Sequence, residues 1–185
     1  MRKNFGKKSW LYPMPVLIVA AYDEKGVPNA MNAAWGGIFS DDMIGVCLSE
    51  GHKTTKNIRA TGAFTVSMAT ADQIAACDFV GIVSGKKEPD KFAMAGFTAE
   101  KSEFVNAPII NELPMTLECE LLSYDEESNH LVGRILNVSA DERILTDGKI
   151  DVMKLSPITY DPINHRYIEL GSVVGNAFSD GNKLK

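Results

Sequence analysis

The chain has 185 residues, 45% hydrophobic and 23% charged, with a net charge of −5 and a pI near 5.2. That length and composition suit one domain with a real core. The acidic balance argues against a nucleic-acid partner, which needs a basic face, and no apolar run reaches the length of a membrane span.

Arg2, Lys3, Lys7 and Lys8 precede an apolar stretch, Trp10 to Tyr22, in the outline of a signal peptide. Pro13 and Pro15 interrupt it, and its continuous part, Val16 to Ala21, is too short, so a cleaved leader is not expected. Val16 to Tyr22 reads as a buried strand. Asp23 to Gly26 is a turn in which Gly26 supplies positive φ, and Pro28 to Trp35 returns as the hairpin partner. Met43 to Ser49 is the next strand. Thr54 or Thr55 can cap a short helix through Ile58 and Arg59, which Gly62 stops. Ala63 to Met68 is again a strand. Thr70 is a cap for Ala71 to Cys77, and Asp90 for Lys91 to Met94, with Gly96 at the end. Gly81 to Pro89, rich in Gly, Lys and Ser, reads as a loop between them. Strands resume at Leu113 to Tyr124 and at His130 to Val138 or beyond, joined by Asp125 to Asn129. Asp147-Gly148 is a turn, and short strands lie around Ile158 and Tyr167.

Many strands beside few, short helices define a mainly β chain with short helices (α+β), an antiparallel barrel rather than a doubly wound sheet. No βαβαβ rhythm and no GxGxxG occur, which argues against a Rossmann dinucleotide site. Residues 1–185 are expected to form one domain, with 1–9 and 172–185 as candidate extended tails. The cysteines, Cys47, Cys77 and Cys119, are odd in number and lie in apolar runs, as reduced thiols of a cytoplasmic protein do. Without CxxC or Cys/His spacing, no zinc site is expected.

Two segments carry chemistry. Asn29-Ala30-Met31-Asn32-Ala33-Ala34-Trp35-Gly36-Gly37 puts small side chains and one indole on a strand after a tight turn, where a flat ring can approach the backbone. Ser49-Glu50-Gly51-His52-Lys53-Thr54-Thr55-Lys56-Asn57-Ile58 ends a strand and opens a helix. Its hydroxyls, lysine and helix-start N–H groups suit a dianionic phosphate. Together they describe a phosphorylated flat heterocycle such as flavin mononucleotide (FMN). The structural alternatives are a turn asparagine with a core tryptophan, and a plain threonine cap beside a solvated lysine. Ser84, Gly85 and Lys91 form a third group, for which a solvated first-turn lysine is the alternative. Gly81 to Lys86 is not a P-loop, and no GxSxG elbow occurs. Asp41-Asp42 and Glu126-Glu127 read as solvated turns, and His165 has no evident partner.

The chain resembles the flavin reductase-like family from Pro13-Met14-Pro15-Val16 through Tyr167. The matching stretches are Asn29 to Gly37, the Thr54-Thr55-Lys56-Asn57-Ile58 helix start, Asp78-Phe79-Val80-Gly81-Ile82-Val83-Ser84-Gly85 with Asp90-Lys91-Phe92, and His130 to Ile135, in that order and spacing. The resemblance implies the FMN-binding split barrel, a Greek-key antiparallel fold, as a homodimer with FMN at or near the subunit interface. It implies an oxidoreductase of flavin reductase or flavoredoxin type, reduced by NAD(P)H or by an iron–sulfur protein. It places Asn29, Asn32, Ala33, Trp35, Ser49, His52, Lys53, Thr54, Thr55, Ser84, Gly85, Lys91, His130 and Tyr167 at flavin-contacting positions, with no catalytic side chain and no metal. The asparagines would address the pyrimidine edge or ribityl chain, and Trp35 the isoalloxazine. Lys91 would set charge near the ring's N1–C2 edge or assist the phosphate. His130 would reach the flavin or nicotinamide side, though on spacing alone it is a surface residue. Tyr167 would flank ring or phosphate. Two other readings stay open: an FMN electron carrier without NAD(P)H turnover, and a split barrel holding another phosphorylated ring, such as pyridoxal phosphate, or serving as a ligand-free interaction module.

Overall fold

The computed structural model describes residues 1–185. Strand β1 (Leu17–Tyr22) is buried on both faces. Ile18 and Ala20 join one core with Val80 and Phe92, while Leu17, Val19 and Ala21 join another with Val46, Phe64 and Leu131. That double burial is why this strand reads as a continuous apolar run rather than an alternation.

The Asp23 carboxylate accepts from the Lys25 and Val27 amides, both at 2.9 Å, and turns the chain into β2 (Pro28–Ala33). Then come β3 (Gly36–Ser40), β4 (Met43–Cys47), helix α1 (Lys53–Thr61) and β5 (Ala63–Met68). A 3₁₀ turn at Ala71–Gln73 leads into α2 (Ile74–Ile82), followed by α3 (Lys91–Met94). The hairpin of β6 (Ala99–Lys101) and β7 (Pro108–Ile110) precedes the long strands β8 (Met115–Asp125) and β9 (His130–Ala140). Two small ribbons remain: β10 (Leu145–Thr146) with β11 (Lys149–Ile150), and, after α4 (Val152–Leu155), β12 (Ile158–Asp161) with β13 (Arg166–Glu169).

Seven strands form one antiparallel sheet in the order β2-β1-β5-β8-β9-β4-β3. Its two edge strands, β2 and β3, are successive in the chain, separated only by Ala34 and Trp35. The sheet therefore curls until its edges meet at that bend. One core fills the curl; the other lies between β1, α2 and α3. No helix is long and apolar enough to cross a membrane.

Several local expectations change. The strand expected over Pro28 to Trp35 stops at Ala33, bends, and resumes as β3, and β4 ends at Cys47. Neither Thr54 nor Thr55 caps α1: His52 holds the cap position, with no side-chain cap bond, and both threonines are buried within the first turn. The Thr54 hydroxyl is committed to Asn29 instead. Thr70 and Asp90 do stand at helix starts, but without side-chain cap bonds. Helix α2 runs on to Ile82, absorbing Gly81 and Ile82 from the expected loop, and Lys91 satisfies the Val80 and Val83 carbonyls at its end. Residues 171–179 are exposed, ahead of a 3₁₀ turn at Asp180–Leu184.

Candidate functional site

A cleft of about 190 Å³ lies between β2, the start of α1 and the loop after α2. Asn29, His52, Lys53, Thr54, Gly85 and Lys91 line it, with Met31 and Ser84. The start of α1 is open. Its first internal bond runs from the Lys56 amide to the His52 carbonyl at 3.1 Å, so the Lys53, Thr54 and Thr55 amides have no partner within the helix. No acidic side chain occupies the first turn. The free N–H groups and the helix dipole favour an anion.

Around this start the side chains fix one another. Thr54 Oγ1 donates to Asn29 Oδ1 at 2.8 Å, a buried bond. Asn29 Nδ2 then lies beside Gly85, so close that a Cβ on residue 85 would sit 2.5 Å from it. Only glycine fits beside that amide. Lys91, 3% exposed, donates from Nζ to the carbonyls of Val80 at 2.9 Å and Val83 at 3.0 Å. An ammonium has three donors, so one is left over. Burial lowers the Lys91 pKa to about 8. The His52 pKa is lowered too, by burial first and then by the charges of Lys91 and Lys86. Lys53 reaches Asp23 at 3.4 Å across the rim. The lining itself contains no carboxylate. This is a small cationic recess suited to a dianion.

The remaining positions are distributed elsewhere. Ser49 is exposed and accepts from the Gly51 amide at 3.3 Å. Thr55 is fully buried, and its hydroxyl has no partner. Asn32 lies behind the recess against α2, donating from Nδ2 to the Cys77 carbonyl at 3.2 Å. Tyr167 donates to Asp78 Oδ1 at 2.6 Å, tying β13 to α2, and its pKa is raised by burial and then by that carboxylate. Ala33 and Trp35 sit at the β2–β3 bend. Trp35 is 61% exposed, which removes the core-tryptophan alternative. Equally, burial of Lys91 removes the solvated-lysine alternative. His130 is exposed at the start of β9, opposite Cys47 of β4 and Asp125 of β8, away from the recess. His165 does find a partner, the Tyr160 hydroxyl at 2.7 Å. Sequence reasoning missed the main-chain acceptors Val80 and Val83 and the charge of Lys86. Only the glycine- and lysine-rich composition after α2 pointed that way.

The chain belongs to the flavin reductase-like family, whose flavin reductase like domain matches residues 9–162. Its curled sheet is the split barrel of that family, and membership ties it to flavin redox chemistry. It is similar to the flavoredoxin of Desulfovibrio vulgaris (Miyazaki F), at 36% identity and a TM-score of 0.93, over 98% of this chain and 100% of that one. An FMN-binding domain of a flavin reductases-like enzyme from Shewanella baltica OS155 shares the fold at 19% identity and a TM-score of 0.78, over 88% of each chain. An uncharacterised protein of Aeropyrum pernix is 29% identical over 122 residues, 65% of this chain and 46% of its own length, so the match spans about half of that relative.

Proposed function

We propose that the protein is an FMN-binding oxidoreductase of flavin reductase or flavoredoxin type. The observation that carries this reading is the carboxylate-free recess at the start of α1, where three open amides meet Lys53, His52 and the buried Lys91. These groups would hold the phosphate of FMN. Gly85 fits the same role indirectly, since it leaves the space that the Asn29 amide fills and so lets that amide sit beside the recess. From there β2 leads to Ala33, a path of roughly 13 Å at ~3.3 Å per residue, with Ala34 and Trp35 at the bend beyond it. The small residues at its end leave the backbone open to a flat ring.

Bound FMN would supply the electron chemistry. The chain's own residues bind and orient: Lys91 keeps positive charge in the recess, and Thr54 holds the Asn29 amide in one orientation. The protein is proposed to be a homodimer. Ile38 and Phe39, 69% and 68% exposed, support that assembly, because large exposed apolar side chains in a group mark contact surfaces. A nicotinamide nucleotide or an iron–sulfur redox protein is the proposed electron donor. The similarity to a flavoredoxin and the lack of a Rossmann fingerprint also favour a second reading, an FMN electron carrier without NAD(P)H turnover.

The visible spectrum of purified protein tests the cofactor: flavin bands, with FMN released at about one per chain, are expected. A protein that is colourless and refuses added FMN overturns the reading. Anaerobic mixing with NADH or NADPH then separates enzyme from carrier, since only an enzyme bleaches at a catalytic rate. Full FMN retention in the double variant Lys53→Ala, Thr54→Ala would overturn the phosphate assignment.

A further inference from the structure

Helix α1 presents Lys53, Lys56 and Asn57 on one face, since residues three and four apart lie side by side on a helix. Together with Asp23, Glu24 and Lys25 of the turn after β1 they line a cleft of about 310 Å³, within the range of small-molecule sites. This cleft is distinct from the recess at the start of α1, and Lys53 alone lines both. One of its groups is buried and unsatisfied. Asn57 is 3% exposed, yet its Nδ2 has no hydrogen-bond partner. A buried N–H without an acceptor is costly, and in a folded protein it is ordinarily met by a water, an ion or a ligand.

The neighbours of Asn57 decide what fits. Three lysines face two carboxylates across the cleft. Asp23 is already committed: Oδ1 accepts from the Lys25 and Val27 amides, and Oδ2 from Lys53 Nζ at 3.4 Å. Glu24 is exposed on the turn. Lys25 and Lys56 are exposed as well, and neither ammonium enters an ion pair. The open valences of the cleft are therefore mainly donors. A water would satisfy Asn57 alone. A compact dianion answers the amide and both ammonium groups together, with charge-assisted hydrogen bonds.

We propose that this cleft is a second phosphate site, in which Asn57 Nδ2, Lys25 and Lys56 hold the group and Lys53 stands between it and the recess. The site does not rest on the FMN reading. Its phosphate arrives either free or as the terminal phosphate of a nucleotide. The test is calorimetric titration of the full chain with inorganic phosphate, at fixed ionic strength, FMN-loaded and FMN-free. One phosphate per chain is expected with FMN bound and two without it, since the recess is then open. Lys56→Ala should weaken the site of the FMN-loaded protein about fivefold. Asn57→Leu should abolish it, and should melt no lower than wild type in phosphate-free buffer, because the unsatisfied N–H is gone. Lys56 is exposed, so its variant keeps the test sound if Asn57→Leu does not fold. NADP⁺ and NAD⁺, which differ by one terminal phosphate, separate the two sources. Displacement of phosphate by NADP⁺ alone puts the group on a nucleotide, and displacement by neither makes free phosphate the ligand. Equal displacement by both overturns the assignment, since NAD⁺ has no terminal phosphate. Absence of saturable heat in FMN-loaded protein, or unchanged affinity in both variants, also overturns it and leaves a water on Asn57. Protein that takes up no FMN, yet loses one of its two phosphates in Asn57→Leu, refutes the flavin reading and leaves the second site standing.

Discussion

Burying the Lys91 ammonium under the Val80 and Val83 carbonyls brings its pKa down to about 8, against about 10.4 in an unfolded chain. Below pH 8 both states are protonated and the folded state bears the full cost of burial. Between pH 8 and about 10.4 the folded state releases its proton first, so this group's contribution to stability rises with pH. Affinity for a dianion moves the other way, because the recess loses its buried charge. FMN affinity, measured by fluorescence titration from pH 6.5 to 9.5, is therefore expected to fall above about pH 8, and the step should vanish in Lys91→Met. At Gly85 the expected effect is steric: Gly85→Ala puts a Cβ 2.5 Å from Asn29 Nδ2, and FMN affinity should drop about tenfold while the melting temperature changes little. Little of this was legible in the sequence. Lys91 and its acceptors lie on separate helical segments, and spacing alone does not show that the loop folds the lysine back onto the end of α2.

Elements were legible where their signals are local. The apolar run of β1, the Asp23–Gly26 turn and the stop at Gly62 depend on neighbours a few residues away, and each appears in place. Gly62 adopts φ 73 and donates to the Ile58 carbonyl at 2.8 Å. Gly62→Ala should cost about 1 kcal/mol, seen as a lower urea midpoint at unchanged slope. The start of α1 was misjudged for the opposite reason. Threonine just before a helix normally caps it, but Thr54 is drawn into the first turn by Asn29, 25 residues earlier and on another element. The same long-range bond leaves the helix start uncapped and thus free for a ligand. The division of Pro28 to Trp35 into two strands was equally hidden, since small residues such as Ala33 and Ala34 favour neither continuation nor bend.

For the molecule as a whole, β1 is shared by two cores, one on each face, so the barrel and the helical layer stabilise each other through a single strand. The fold class was legible from strand density and from the order of the family segments; the meeting of the sheet edges was not, because it is a property of the strand order. The proposed homodimer predicts a species of two 20.2 kDa chains in sedimentation, shifted to monomer by Phe39→Asp, with the far-ultraviolet spectrum unchanged. The junction at Ala34–Trp35 has one more effect. A residue added there would reverse the in–out alternation of whichever strand absorbed it, and with it one flank of the curled sheet. The Glu126–Ser128 hairpin tip is exposed and carries no such constraint. Insertions and deletions over evolutionary time should thus gather at hairpin tips, while the two-residue junction keeps its length.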